Sequence, residues 1–256
     1  MSGTSDSSRD CSGFKTRGIS VMRTHNLKDF IYKNRYLLLQ AYWLIYLPWF
    51  AYLENHVTKH FHVIHMELDD AIPFVSAFCI PYFLWFGYVA VAFCYTYLHD
   101  KQEYLRACAF LFTGMTIFLI VSTVYPNGHY MRYSVTLGSG IFDQIVRWLW
   151  STDTATNLFP SIHVFNSIGA HIALTRSENL RDNKLVKYGS FTLMCSIILA
   201  TVFIKQHSVF DVMTALLMAL VLYPIAYGKA PENAMERFRN YRETRRLRRK
   251  YKDVQW

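Results

Sequence analysis

The chain has 256 residues, of which 52% are hydrophobic and 17% aromatic against only 18% charged, and its formal net charge is +9. That composition excludes a disordered chain, a disulfide-stapled secreted module and an ordinary soluble enzyme. Six stretches nearly free of charge carry the apolar excess, at 36–53, 72–98, 104–125, 158–175, 186–204 and 208–227. Each is close to the ~20 residues a helix needs to cross a bilayer core. The expected fold is all-α and integral to the membrane, with six transmembrane helices in one bundle and three regions: a tail at 1–35, the bundle at 36–228 and a basic tail at 229–256.

Residues 1–20 are rich in Ser, Gly and Asp and read as disordered. Between Val21 and Tyr36 apolar and basic residues mix, which suits either a surface-lying helix or a linker. No signal-peptide core occurs in the first 35 residues, so the first span is expected to act as its own insertion signal. The connection 54–71 holds His56, His60, His62 and His65 with Glu67, Asp69 and Asp70. These residue types can bind zinc or iron, but one loose cluster reads more simply as a solvated acidic loop, so neither metal nor cofactor is expected.

The longest connection, 126–157, opens with the turn signal Tyr125-Pro126-Asn127-Gly128. Further on, Ile141, Phe142, Ile145, Trp148 and Leu149 recur at helical spacing with Asp143, Gln144 and Arg147 opposite. An amphipathic helix at the membrane interface is predicted there, where tryptophans are favoured. Of the five cysteines, Cys79, Cys94, Cys108 and Cys195 lie in apolar spans and only Cys11 does not; with no C-x-x-C pair they read as packing residues.

Orientation follows from Lys and Arg, which cytoplasmic loops retain. Segments 1–35, 99–106, 176–187 and 229–256 carry 23 of them, whereas the alternate segments carry only Lys59, Arg132, Arg147 and Lys205. Both termini are therefore expected in the cytoplasm, and loops 54–71, 126–157 and 205–207 outside, most naturally at the cell membrane. The Arg-rich C-terminal tail is better suited to anionic lipid than to nucleic acid, so the bilayer is an expected partner and nucleic acid is not.

Ionisable groups within apolar spans need a reason. His163, His207 and Asp211 all fall at the outer ends of predicted spans. His207 and Asp211 are four apart and share a helix face, so the carboxylate can fix the imidazole tautomer and leave the other nitrogen as nucleophile or base; a structural Asp-His pair at a helix end is the alternative. The run Asn157-Leu158-Phe159-Pro160-Ser161-Ile162-His163 reads as a helix start, capped by Asn157 or Ser161 with Pro160 in the first turn. Such an end favours phosphate. Asn166, Ser167, Ala170 and His171 continue the His163 face toward the bundle interior, with His171 expected to form an interhelical hydrogen bond.

Together, P-S-I-H at 160–163 and the segment Lys205-Gln206-His207-Ser208-Val209-Phe210-Asp211 resemble the type 2 phosphatidic acid phosphatase superfamily, over roughly residues 36–228. Pro160, Ser161 and His163 match its P-S-G-H motif, with Ile162 for glycine. His207 and Asp211 match S-R-x5-H-x3-D, with Ala200 and Thr201 where Ser and Arg are expected. For K-x6-R-P, only Arg132 is kept, Tyr125 and Tyr133 replacing Lys and Pro. These departures resemble the inositol phosphorylceramide and sphingomyelin synthase branch.

The resemblance implies a metal-independent, two-step phosphoryl transfer from a lipid phosphate, through a phosphohistidine, to water or an alcohol. His207 is the implied nucleophile, Asp211 its orienting group and His163 the acid and then the base. Arg132, Lys205, Ser161 and the amides after Pro160 are the implied phosphate-binding groups. A lipid phosphatase acting on a phospholipid or polyprenyl (di)phosphate is the expected function. A head-group phosphotransferase is the alternative, and a non-enzymatic transporter or scaffold the second, disfavoured because the polar groups gather at one membrane face.

Overall fold

The computed structural model describes residues 35–57 and 60–228, with Asn233, Glu236, Arg237, Asn240, Tyr241 and Thr244 beyond them. The N-terminal segment expected to be disordered or surface-lying, and most of the basic tail expected to meet lipid, fall outside the described residues. The chain divides into two compact units, residues 1–43 and 44–256. In the first, a 3-10 segment covers Arg35–Tyr42, and Trp43 Nε1 donates to Gln40 Oε1 at 2.8 Å.

The elements in chain order are α1 (Trp43–His56), β1 (His62–Val63), α2 (Glu67–Ala71), α3 (Cys79–His99), α4 (Lys101–Val124), β2 (Asn127–Gly128), α5 (Ile141–Thr152), α6 (Ile162–Arg176), α7 (Lys184–Phe203) and α8 (Val209–Tyr227). Side-chain caps set several of the starts. Asp100 accepts from the Glu103 amide at 2.9 Å to open α4, and Asn183 accepts from Leu185 and Val186 to open α7.

Among the described residues, five helical stretches are long and apolar enough to cross a bilayer: Tyr36–His56, Ser76–His99, Lys101–Val124, Lys184–Phe203 and Val209–Tyr227. Leu216, Leu217, Leu220 and Val221 of α8 remain exposed, at 46%, 60%, 72% and 55%. A helix apolar all round with one side unpacked requires lipid or a partner there, so the chain is a membrane-embedded helical protein.

The segment 158–175 behaves differently from the simple span expected. Leu158 to Ser161 are not helical, and α6 begins only at Ile162, reaching 15 residues. Pro160 stands ahead of the Ser161 cap and not inside the first turn. A helix of that length covers about 22 Å, short of the ~30 Å apolar core. What α6 lacks in length it has in burial, since nine of its 15 residues are buried whereas only seven of the 19 in α8 are. It packs against α3, α4, α7 and α8, making it the central helix.

Small residues make this packing possible. A Cβ at Gly114 of α4 would run into the Phe165 ring, which stacks on Phe110 at 4.6 Å. Ser190 accepts or donates toward both Tyr88 of α3, at 2.6 Å, and His171 of α6, at 2.9 Å, so His171 forms the expected interhelical contact. Cys79 and Cys108 are buried packing residues, while Cys94 is exposed.

The three connections grouped together by charge counting interlock at one end of the bundle. β1 pairs with β2 in parallel, joining His62 to Asn127 and Val63 to Gly128, and Gly128 also bridges Thr156. The 27-residue stretch 72–98 therefore does not enter the bundle whole, because helix α3 starts at Cys79 after a 3-10 turn at Ser76–Phe78. The helix expected in the long loop forms as α5, but its buried residues are Val146 and Leu149, leaving Ile141 and Trp148 exposed at 70% and 59%.

Candidate active site

Two helix starts place the candidate residues. Ser161 caps α6, its Oγ accepting from the Val164 amide at 3.4 Å, and His163 follows in the first turn. Ser208 caps α8 through a reciprocal box: its Oγ accepts from the Phe210 amide at 3.2 Å, and its own amide donates to Asp211 Oδ2 at 3.0 Å. The Ser161 amide donates to the Asp211 carbonyl at 3.3 Å, tying the two helix starts together.

This brings His163, His207 and Asp211 into one buried cluster. Nδ1 of His207 lies 3.3 Å from Asp211 Oδ2, and its Nε2 lies 3.2 Å from His163 Nδ1. An ionised Asp211 only accepts, so His207 carries its proton on Nδ1 and presents a lone pair at Nε2. His163 Nδ1–H then donates into that lone pair, and His163 Nε2 holds the outermost one. The row Asp211–His207–His163 can pass a proton inward and leave the resulting positive charge beside a carboxylate.

The walls of this cluster are residues that sequence reasoning missed. Tyr82 and Trp85 of α3 place their ring centroids 4.7 and 4.4 Å from that of His163. Tyr82 is anchored by donating to Asp153 Oδ2 at 2.6 Å, and Gln206 Nε2 donates to the same oxygen at 3.2 Å. Trp85 Nε1 and Asp211 Oδ1 are buried without hydrogen-bond partners among the described residues. Tyr82 and Trp85 gave no signal beforehand, since aromatic residues in an apolar span look like ordinary packing. Glu54 also went unnoticed: it accepts from Thr154 at 2.7 Å and Asn157 at 3.2 Å, supporting the approach to Pro160. Asn157 itself takes a positive φ of 55° and does not cap α6.

The two cations implied as phosphate binders are occupied by main-chain carbonyls. Arg132 donates to the carbonyls of Asp153 at 2.7 Å, Thr154 at 3.2 Å and Lys205 at 3.3 Å, and also to the Gln206 side chain. Its guanidinium thereby clamps two loops. Lys205, 6% exposed and at φ 52°, donates from Nζ to the carbonyls of Asp69 at 2.7 Å and Ile72 at 2.6 Å. Burial pulls its ammonium below the usual lysine range, against the opposing charges of Asp69 and Asp70. Next to this clamp, His129 donates from Nε2 to the Gln206 carbonyl at 3.1 Å; burial foremost, then Arg132, lowers it to about 3.

The histidine-rich connection does not converge. His56 Nδ1 contacts the Tyr52 carbonyl at 2.8 Å, His62 stacks on Tyr125 at 4.2 Å, and His65 Nε2 meets Asp70 at 3.0 Å. Among the described residues no three His, Cys, Asp or Glu side chains are grouped to share a metal ion. One acid of that connection, Asp69, is instead buried against the start of α8. No protein-family model matches this chain, and no curated protein or solved structure does either.

Proposed function

We propose that this chain is a membrane lipid phosphatase that removes phosphate from a phospholipid or polyprenyl (di)phosphate through a phosphohistidine. The observation that carries the reading is the meeting of His163 and His207, 44 residues apart, with Asp211 on the far nitrogen of His207. A structural Asp-His pair at a helix end needs no second histidine on its free nitrogen. In this reading a phosphoryl group enters between the two rings, replacing their hydrogen bond. His163 enters the step as an imidazolium, protonated at Nε2 from solvent: His207 attacks phosphorus as the P–O bond to the lipid breaks, and His163 gives its Nδ1 proton to the departing oxygen. The neutral His163 ring then takes a proton at Nδ1 from the water that attacks phosphorus as the P–N bond breaks and phosphate leaves. The amides at the start of α6 and the Ser161 hydroxyl face the phosphoryl oxygens.

The proposed membrane arrangement has six spans, with α6 as a short central one whose missing length is covered by the 157–161 approach. Both termini are cytoplasmic, the cluster opens at the outer face of the cell membrane, and α5 lies at that interface. Labelling of single cysteines in intact cells tests this: a probe at Gly138 should react from outside, and one at Asn233 only after permeabilisation.

A second reading, transfer of a phosphorylated head group to an alcohol, is favoured by one observation. Arg132 and Lys205 are held by carbonyls, and a monoanionic phosphodiester needs less added positive charge than a phosphate monoester. Purified protein supplied with phosphatidic acid, phosphatidylglycerol phosphate or a polyprenyl diphosphate should release inorganic phosphate in a vanadate-sensitive manner. A new phosphodiester lipid, formed only when a phosphodiester phospholipid donor and an alcohol acceptor are both supplied, would select the transferase, and the absence of either product would remove the enzymatic reading.

A further inference from the structure

Asp69 sits in a run of acids whose other members face solvent: Glu67 and Asp70 are exposed, whereas Asp69 is 2% exposed. Burying a carboxylate is unfavourable unless donors surround it, and here every donor is accounted for. Oδ2 accepts from Ser208 Oγ at 2.5 Å and the Met66 amide at 2.8 Å, and Oδ1 accepts from the Val209 amide at 2.7 Å. Two of the three donors belong to the first turn of α8, where the helix dipole favours an anion. The carbonyl of Asp69 receives Lys205 Nζ at 2.7 Å. The residues that flank His207, two before it and one after it, are thus both tied to one residue lying 139 positions upstream of Ser208.

The connection to the reacting groups is short. Ser208, held by Asp69 through its hydroxyl, donates its amide to Asp211 Oδ2 at 3.0 Å, and the same oxygen faces His207 Nδ1 at 3.3 Å. We propose that Asp69 is a positioning residue for phosphoryl transfer: its buried carboxylate sets the Ser208 cap that aims Asp211 and, through it, His207. The inference rests on the phosphohistidine reading above and adds to it a group outside both helix-start motifs. Asparagine cannot replace this carboxylate. Whichever way the amide is turned, its NH2 faces a backbone N–H, of Met66 or of Val209, that needs an acceptor.

The experiment measures turnover per phosphorylatable site, using radiolabelled phosphatidic acid, phosphatidylglycerol phosphate or polyprenyl diphosphate in detergent micelles, whichever the wild type turns over best. Burst amplitude counts competent sites, and the steady rate divided by that count gives the rate of each. Asp69→Asn should keep most sites while each slows on the order of 10²-fold, with KM within about twofold, as for a small misplacement of a reacting group. Ser208→Ala removes one link of the chain and should slow each site about tenfold, so the proposal stays testable if Asp69→Asn does not fold. Asp70→Asn should match the wild type. A loss of sites with each remaining site at full rate would make Asp69 a scaffold residue and overturn the proposal. Failure of the wild type to form phosphoenzyme on any of the three lipids would instead sink the phosphohistidine reading, and this inference with it.

Discussion

His163 Nδ1 and His207 Nε2 stand 3.2 Å apart, and both rings are buried, at 8% and 4% exposure. The contact interlocks their tautomers. With Asp211 accepting from the far side of His207, the direction of each N–H in the row follows from that carboxylate alone.

Unequal roles in that row predict unequal variants. His207→Ala should abolish both turnover and acid-labile phosphoenzyme, because no nitrogen remains to form the P–N bond. Asp211→Asn should reduce turnover on the order of 10²- to 10⁴-fold with some phosphoenzyme left, since the ring is misoriented but present. His163→Ala should accumulate phosphoenzyme from a substrate with a good leaving group, because water is no longer activated. Trapping with radiolabelled substrate separates the three, and phosphoenzyme persisting without His207 would move the nucleophile to His163.

Arg132 makes a specific prediction because lysine preserves its charge but not its fork. Arg132→Lys should lose most of the bonds to Asp153, Thr154 and Lys205 and cost about 1–3 kcal/mol of stability. Thermal unfolding in detergent checks it. An unchanged midpoint accompanied by a raised KM would return Arg132 to the role of phosphate binder.

His129 predicts a pH dependence. Its native value is lowered to about 3 from the ordinary 6.5. Above pH 6.5 neither the folded nor the unfolded state holds the extra proton, and the neutral buried ring is fully compatible with the fold. As pH falls from 6.5 toward 3 the unfolded state alone takes it up, so stability declines by up to about 1.4 kcal/mol per pH unit. His129→Gln should flatten the decline between pH 6.5 and 5, where carboxylates contribute least. Parallel curves for the two proteins in urea titrations would mean that the ring protonates without unfolding.

Chelation should leave turnover unchanged, because the charge work is assigned to side chains, and His56, His62 and His65 of the connection 54–71 point to separate partners. Joint replacement of His56, His60, His62 and His65 should likewise retain most activity. Loss of product in EDTA, restored by zinc, would make that connection a site.

The membrane-embedded helical class was legible in the sequence, since long runs without charge have few other uses, and His163, His207 and Asp211, which the fold brings together, stood out there because an ionisable group in an apolar span is costly. The cap at Ser161 was also legible from local chemistry. Tertiary structure alone decided the rest. Periodicity carries no record of which neighbour a helix meets, so α6 read as one span among six until its packing showed a short central helix. Tyr82 and Trp85 carry no mark in the sequence, and only the packing of α3 lays them against His163. Arg132 and Lys205 were correctly noticed as cations, but the carbonyls they hold come from residues distant in sequence. Asp69 was hidden among exposed acids, because burial of one carboxylate in a polar run is a property of the folded chain and leaves no mark on composition or spacing.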